Sequence, residues 1–299
     1  MWLKGLSLCL SLFFIASWFT NKYVLSVLMF TYPTLFQGWQ TFVGSLLLQI
    51  AWKLGWVEIR SHVLWSAKLS WFPGALLFVG SIYAGSRALS KLPIPFFLVL
   101  QNASEVIASI FLKITRKEKL SFTKLLSMLM TLLAGASLPF NDLRFDPGGY
   151  FWAVIHFACA GGYKVFQKLP KSCSLSELEQ QYLNYLYSVV LLISAAHPAG
   201  DALGALDFPF LYSYRFHSGC CASGILGVAL LLVSVKVKSY LSTERYGVWT
   251  LFTKVLAACL SLVVFETLMN VPTSFWLIVG ALGEALLVYA ERSGAEVKG

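Results

Sequence analysis

Tyr246–Glu266 reads YGVWTLFTKVLAACLSLVVFE. An apolar run of about 20 residues is what a helix needs to cross the hydrocarbon core of a bilayer. This one carries a full charge, Lys254, near its middle. A lysine at that depth costs about 2.5–3.5 kcal/mol, so it turns towards a cavity or a partner rather than towards lipid. At three- and four-residue spacing its helical neighbours are Thr250, Ala257, Ala258 and Ser261, all small or polar. The stretch therefore predicts a spanning helix with a single cation set in a narrow stripe. Lys254 lies too far from either interface for its stem to reach the headgroups, and an anionic ligand is the partner such a cation suits.

The rest of the chain has the same character. Of its 299 residues, 58% are hydrophobic and only 12% charged, and mean hydropathy is +0.71. A soluble domain carries about twice that charge fraction. Ten apolar blocks can be drawn, at 5–28, 33–52, 70–89, 94–113, 121–140, 149–168, 179–197, 216–235, 245–266 and 273–291. The links between them leave no room for a soluble domain. The expected fold is all-α and membrane-embedded. The net charge of +9 follows from basic residues gathering in cytoplasmic loops, not from a nucleic-acid partner. Lys113, Arg116, Lys117, Lys119 and Lys124 cluster after the fourth block, whereas the opposite side holds only Arg87, Lys91, Arg144 and Arg215. This asymmetry places both termini in the cytoplasm. The six cysteines show no CxxC pairing, and no disulfide is expected.

Asn141–Gly149, NDLRFDPGG, divides the blocks five and five. An odd number of spans per half forces the halves, 1–140 and 149–299, into opposite orientation as inverted repeats of one membrane domain. Weak internal similarity agrees with this. Asn21-Lys22-Tyr23 answers Tyr163-Lys164, and Leu89–Lys113 lines up loosely with Ser239–Val264, bringing Glu105 near the counterpart of Lys254.

Polar residues inside the blocks are few. Gln101, Asn102 and Glu105 form one polar helix face. Glu179–Ser188 begins the seventh block with amides and phenols, including Tyr182, Asn184 and Tyr185, which suit a base or sugar but serve equally as helix-packing glue. Lys22 and Lys164, near block ends, either face a cavity or reach the headgroups. His156 and Glu284 read as structural, the acid sitting among the small residues of GALGEA. No HExxH, GxSxG, P-loop or Cys/His ligand cluster is present, so no catalytic residue, metal or cofactor is expected. A membrane-embedded transferase would have to use His197, Asp201, Asp207 or His217, and a non-transporting scaffold is the third class.

Ser86-Arg87-Ala88-Leu89-Ser90-Lys91-Leu92-Pro93-Ile94-Pro95, followed by Gln101-Asn102-Ala103-Ser104, resembles the third-to-fourth span region of Golgi GDP-mannose transporters. The whole chain resembles the nucleotide-sugar and triose-phosphate transporter branch of the drug/metabolite transporter superfamily. The resemblance implies a Golgi antiporter that moves a nucleotide sugar into the lumen in exchange for nucleoside monophosphate. The family's Gly-Ala-Leu-Asn-Lys motif falls on Thr250–Lys254, keeping the lysine. Its guanine-reading Phe-Tyr-Asn-Asn motif falls on Tyr182–Tyr185, keeping one asparagine and replacing the other by Tyr185. Loss of a base-reading amide argues against GDP-mannose, and the resemblance implies UDP-N-acetylglucosamine as the cargo, with GDP-mannose or another phosphorylated solute as the alternative. In this reading Lys254, beside Thr250 and Thr253, holds the phosphates, and Tyr182, Asn184 and Tyr185 hold the base. Gln101 and Asn102 meet sugar or phosphate, Glu105 balances Lys254 in the empty site, and Lys22 joins from the first block. A homodimer is compatible with this plan.

Overall fold

Prolines and small polar caps set where the helices begin. Pro33 and Pro147 occupy first-turn positions of their helices, where a missing N–H leaves no bond unmade. Ser121, Ser176 and Ser242 cap others by accepting a backbone N–H three residues on. The structure, a computed structural model, describes residues 2–60, 65–116, 121–169 and 175–296. Lys117, Lys119, Lys171, Cys173 and Lys298 lie outside the described residues.

Among the described residues the chain is helical throughout, with no strand. α1 (Trp2–Lys22) runs into a π-helical turn, Tyr23–Val27. There follow α2 (Pro33–Lys53), α3 (Trp65–Lys91), α4 (Ile94–Gln101), α5 (Ala103–Arg116), α6 (Phe122–Asn141) and α7 (Pro147–Gln167). The chain continues with α8 (Glu177–Ala196), the single turn α9 (Asp201–Gly204), α10 (Tyr214–Tyr240), α11 (Thr243–Val264) and α12 (Val271–Glu296). Among the described residues seven segments are long and apolar enough to cross a bilayer by themselves, and α8 joins them only together with the bent α9 region, at 80°. α2, α7 and α8 fall short alone because Gln37, Gln40, Lys164 and Asn184 dilute their apolar character. The block expected as one fourth helix is broken at Asn102 into α4 and α5.

α3 packs along α7, α6 along α12, α2 along α8 and α1 along α10, with α4 held between α7 and α11 and α5 between α7 and α6. Helices in lipid associate through close van der Waals contact, for which small residues are the means. α12 shows this best. A Cβ on Gly280 would stand 2.6 Å from Val99 Cγ1, and one on Gly283 would stand 2.9 Å from Thr131 Oγ1. Ser127 Oγ donates to the Gly283 carbonyl at 2.6 Å. The GALGEA run is thus the seam that draws α12 against α4 and α6 and fixes where Glu284 points.

Two buried acids are structural, one of them Asp201, named above for the transferase alternative. Asp201 is buried and caps α2, accepting from Thr34 N (3.1 Å) and Thr34 Oγ1 (2.6 Å). Glu179 completes a capping box with Ser176 and takes three bonds from Arg60, at 2.8–3.0 Å. That carboxylate raises the Arg60 guanidinium above its ordinary pKa. Loss of the box removes about 1 kcal/mol, and the bonds from the exposed Arg60, screened by solvent, add only modestly to that. Glu179→Ala should therefore lower thermal stability in detergent by about 1 kcal/mol, with Glu179→Gln recovering part of it. A melting temperature unchanged in the alanine variant would refute the clamp. On the far side of the fold, the Gly149 amide and Lys91 hold the Asp146 carboxyl below the usual carboxylate range, at the head of α7.

Candidate functional site

Lys254 does not stand alone. Its Nζ donates to Glu284 Oε1 at 2.6 Å and to Asn102 Oδ1 at 3.0 Å, and Asn102 Nδ2 donates to Glu284 Oε2 at 2.8 Å. Three elements converge to make this closed triad: the α4–α5 break, α11 and α12. The break matters, because Asn102 ends α4 with its amide bonded to Val99 O in a tightened turn, leaving its side chain aimed at α11. The ion pair is largely buried, with 20% of the Lys254 side chain and 15% of the Glu284 side chain exposed. Two cavities of about 230 Å³ each adjoin it. One is lined by Pro95, Leu98, Leu262 and Met269, towards the start of α4 and the end of α11. The other is lined by Ser109, Thr243, Tyr246, Thr250 and Leu287, towards the opposite ends of the same helices.

Glu105 borders the second cavity but is not the partner of Lys254. The expected pairing is corrected: Glu105 accepts from Lys164 Nζ at 2.6 Å, and Lys164 also donates to Ser104 Oγ at 2.7 Å. The counter-ion of Lys254 is Glu284, an acid expected from its sequence setting to be structural. Its signal was there in the flanking Gly280, Ala281 and Gly283, whose lack of bulk lets α12 approach α4. Thr250 lines the same cavity as Lys254, while Thr253 faces α1, where it shares a hydrogen bond with Ser11 Oγ at 2.7 Å.

A separate cavity of about 270 Å³ lies between α1, α2, α3, α4, α7, α8 and α10. Its walls hold amides, hydroxyls and rings, with no Lys, Arg, Asp or Glu among the lining residues. Gln101 and Tyr185 line it, so the consecutive residues Gln101 and Asn102 face different cavities across the helix break. Tyr185 rests in a notch at Gly44, where a Cβ would meet its ring at 2.6 Å. Asn184 is fully buried away from this space, accepting from Trp71 Nε1 at 2.9 Å and donating to the Tyr163 hydroxyl at 2.6 Å. Tyr182 is half-buried outside the cavity lining. Lys22 donates to the carbonyls of Leu89 (2.7 Å) and Leu92 (2.8 Å), closing the C-terminal end of α3.

The sequence reading gave no role to the polar wall opposite Gln101. Asn21 Oδ1 accepts from Gln40 Nε2 at 2.9 Å and from Ser223 Oγ, and Gln40 Nε2 also donates to Ser223 Oγ. Gln37 Nε2 donates to Ser86 Oγ at 2.5 Å, and His156 Nδ1 meets the Ser81 carbonyl at 2.7 Å. Gln37, Gln40 and Thr41 at three- and four-residue spacing were the available signal; the distant partners Asn21 and Ser223 had none.

Comparison with known proteins agrees with this architecture. The chain is 57% identical over 290 residues to the UDP-N-acetylglucosamine transporter TMEM241 homolog of Xenopus laevis, covering 97% of each protein. It is 53% identical over 290 residues to the UDP-N-acetylglucosamine transporter TMEM241 of Mus musculus, again with 97% of each covered. A GDP-mannose transporter of Komagataella pastoris is 25% identical over 281 residues, covering 91% of this chain and 84% of that protein. No family-wide sequence profile matches the chain. With its apolar helices and full-length likeness to these carriers, the chain is a multi-pass membrane protein that belongs to the TMEM241 branch of the nucleotide-sugar transporters.

Proposed function

We propose that this protein is a carrier, not an enzyme, that moves UDP-N-acetylglucosamine into the Golgi lumen in exchange for a nucleoside monophosphate, with both termini cytoplasmic. The observation that carries the proposal is Lys254, a cation deep in a spanning helix between two cavities, held by one carboxylate and one amide. The nucleotide's phosphates pair with Lys254 and Asn102, and once the α4–α5 joint moves, the separate uncharged cavity lined by Gln101 and Tyr185 receives base and sugar through neutral hydrogen bonds and ring contacts. Preference for the uridine sugar is supported by the names of the relatives at 57% and 53% identity. It is further supported by the burial of Asn184, which is tied to Trp71 and Tyr163 and so leaves no free amide there to read guanine. Asp201, an acid a transferase would need, is tied up capping α2.

The transport cycle we infer uses ten spans in two inverted halves, 1–140 and 149–299. The helix packing supports this plan. Exchanging α1 with α7, α2 with α8, α3 with α10, α4–α5 with α11 and α6 with α12 turns the α3–α7 contact into α10–α1 and the α2–α10 contact into α8–α3. The same exchange leaves α2–α8, α6–α12 and α4–α11 as they are. Such a swap relates two states of an alternating carrier. Proteoliposomes containing the purified protein and loaded with UMP should take up external labelled UDP-N-acetylglucosamine faster than empty ones, and faster than they take up GDP-mannose. Equal uptake with and without internal nucleotide would overturn exchange, and no uptake of either sugar would overturn the carrier reading.

A further inference from the structure

The two 230 Å³ cavities beside Lys254 have three lining residues in common: Asn102, Lys254 and Glu284. The triad is thus the partition between a cavity reaching one end of the α4–α5, α11 and α12 cleft and a cavity reaching the other. We propose that Glu284 is an internal stand-in for the cargo phosphate, latching the partition shut when the carrier is empty. The proposal rests on the carrier reading above and assigns Glu284 a role in it.

The chemistry of the exchange is one for one. Glu284 presents two acceptor oxygens, one to the Lys254 ammonium and one to the Asn102 amide N–H. A phosphate presents non-bridging oxygens with the same spread and more charge, so it can take both donors while the carboxylate leaves. The departing Glu284 has a polar receiving wall, since Ser109, Thr243, Tyr246 and Thr250 line the cavity on one side of it. The other acid bordering that cavity, Glu105, is held by Lys164 and does not contend for Lys254. Lys254 is therefore occupied by its own chain. A ligand that binds only the unlatched form has its affinity reduced by the fraction of protein that is latched. The latch also opposes return of the empty carrier, because parting an ion pair in low dielectric without replacing either partner is strongly unfavourable.

The test is UMP binding to purified wild-type and Glu284→Gln protein, measured by titration calorimetry. Glutamine keeps the shape but removes the competing charge, so UMP should bind more tightly by about fivefold or more, the scale of a coupling of 1–3 kcal/mol. Glu284→Asp keeps the charge and the counter-ion for folding but shortens the reach to Lys254; it should bind UMP more tightly than wild type, and less tightly than Glu284→Gln. A purely structural role for Glu284 would weaken binding in both variants. Unchanged or weaker UMP binding in either variant, purified with the wild-type elution profile, overturns the latch while leaving the carrier reading intact. A wild-type protein that binds no UMP and exchanges no nucleotide sugar overturns both.

Discussion

Lys254→Ala should abolish nucleotide-sugar uptake, and should also destabilise the protein. The first effect follows from chemistry: without the ammonium, a diphosphate has no full positive charge from the triad in a cleft where water is scarce. A charge-assisted hydrogen bond contributes about 1.5–3 kcal/mol, or roughly one to two orders of magnitude in affinity. The second effect follows from the triad geometry. A lysine alone in a cavity would be removable without harm to the fold. This one neutralises Glu284 at 2.6 Å, and stripping one partner from a buried pair costs about 3–5 kcal/mol. The double variant Lys254→Ala/Glu284→Gln separates the two: its melting temperature should return towards wild type, while uptake into proteoliposomes stays lost. Transport by the refolded double variant would show that the phosphates are held elsewhere.

Gly283→Val is expected to abolish transport from a position that touches no cargo. Its Cβ would stand 2.9 Å from Thr131 Oγ1, 3.2 Å from the Thr131 backbone nitrogen and 3.3 Å from Met130 Cβ. The hydroxyl can rotate away, but the α6 backbone cannot, so α12 must shift outward. Overpacking of this kind costs about 1–3 kcal/mol, and the Ser127 bond to the Gly283 carbonyl adds about 1 kcal/mol when it breaks. The neighbouring Glu284 would then lose its registry with Asn102 and Lys254. Thermal denaturation in detergent should register the stability loss, and uptake should fall more steeply than that loss explains. Unimpaired uptake by Gly283→Val protein would mean that α12 need not be held so closely.

What the sequence made legible was whatever depends on one helix at a time. Lys254 could be placed by counting from both ends of an apolar run, and the polar face of Gln101, Asn102 and Glu105 by helical spacing. Pairing across helices was not legible, because it depends on which faces meet. Glu105 looked like the mate of Lys254 on the strength of internal similarity, yet α5 packs along α7 and meets Lys164 there. Glu284 was within reach because small residues marked the side of α12 that approaches α4. Asn184 and Tyr185 are adjacent in sequence, but one is sealed against Trp71 and the other faces a cavity, since neighbouring residues on a helix point about 100° apart. The break at Asn102 was hidden as well: nothing in LQNASE forbids a continuous helix, and tertiary bonds to Lys254 and Glu284 favour the turn.

α4 has a consequence for the setting in which the carrier works. From Ile94 to Leu100 every residue is covered by protein, so this segment meets no acyl chain. Membranes of different thickness act on helices whose apolar surface is exposed, such as α6, α10 and α12, through tilt and local compression. The joint that ends in Asn102 has no such surface of its own, so bilayer thickness reaches it through α12, by way of its bond to Glu284.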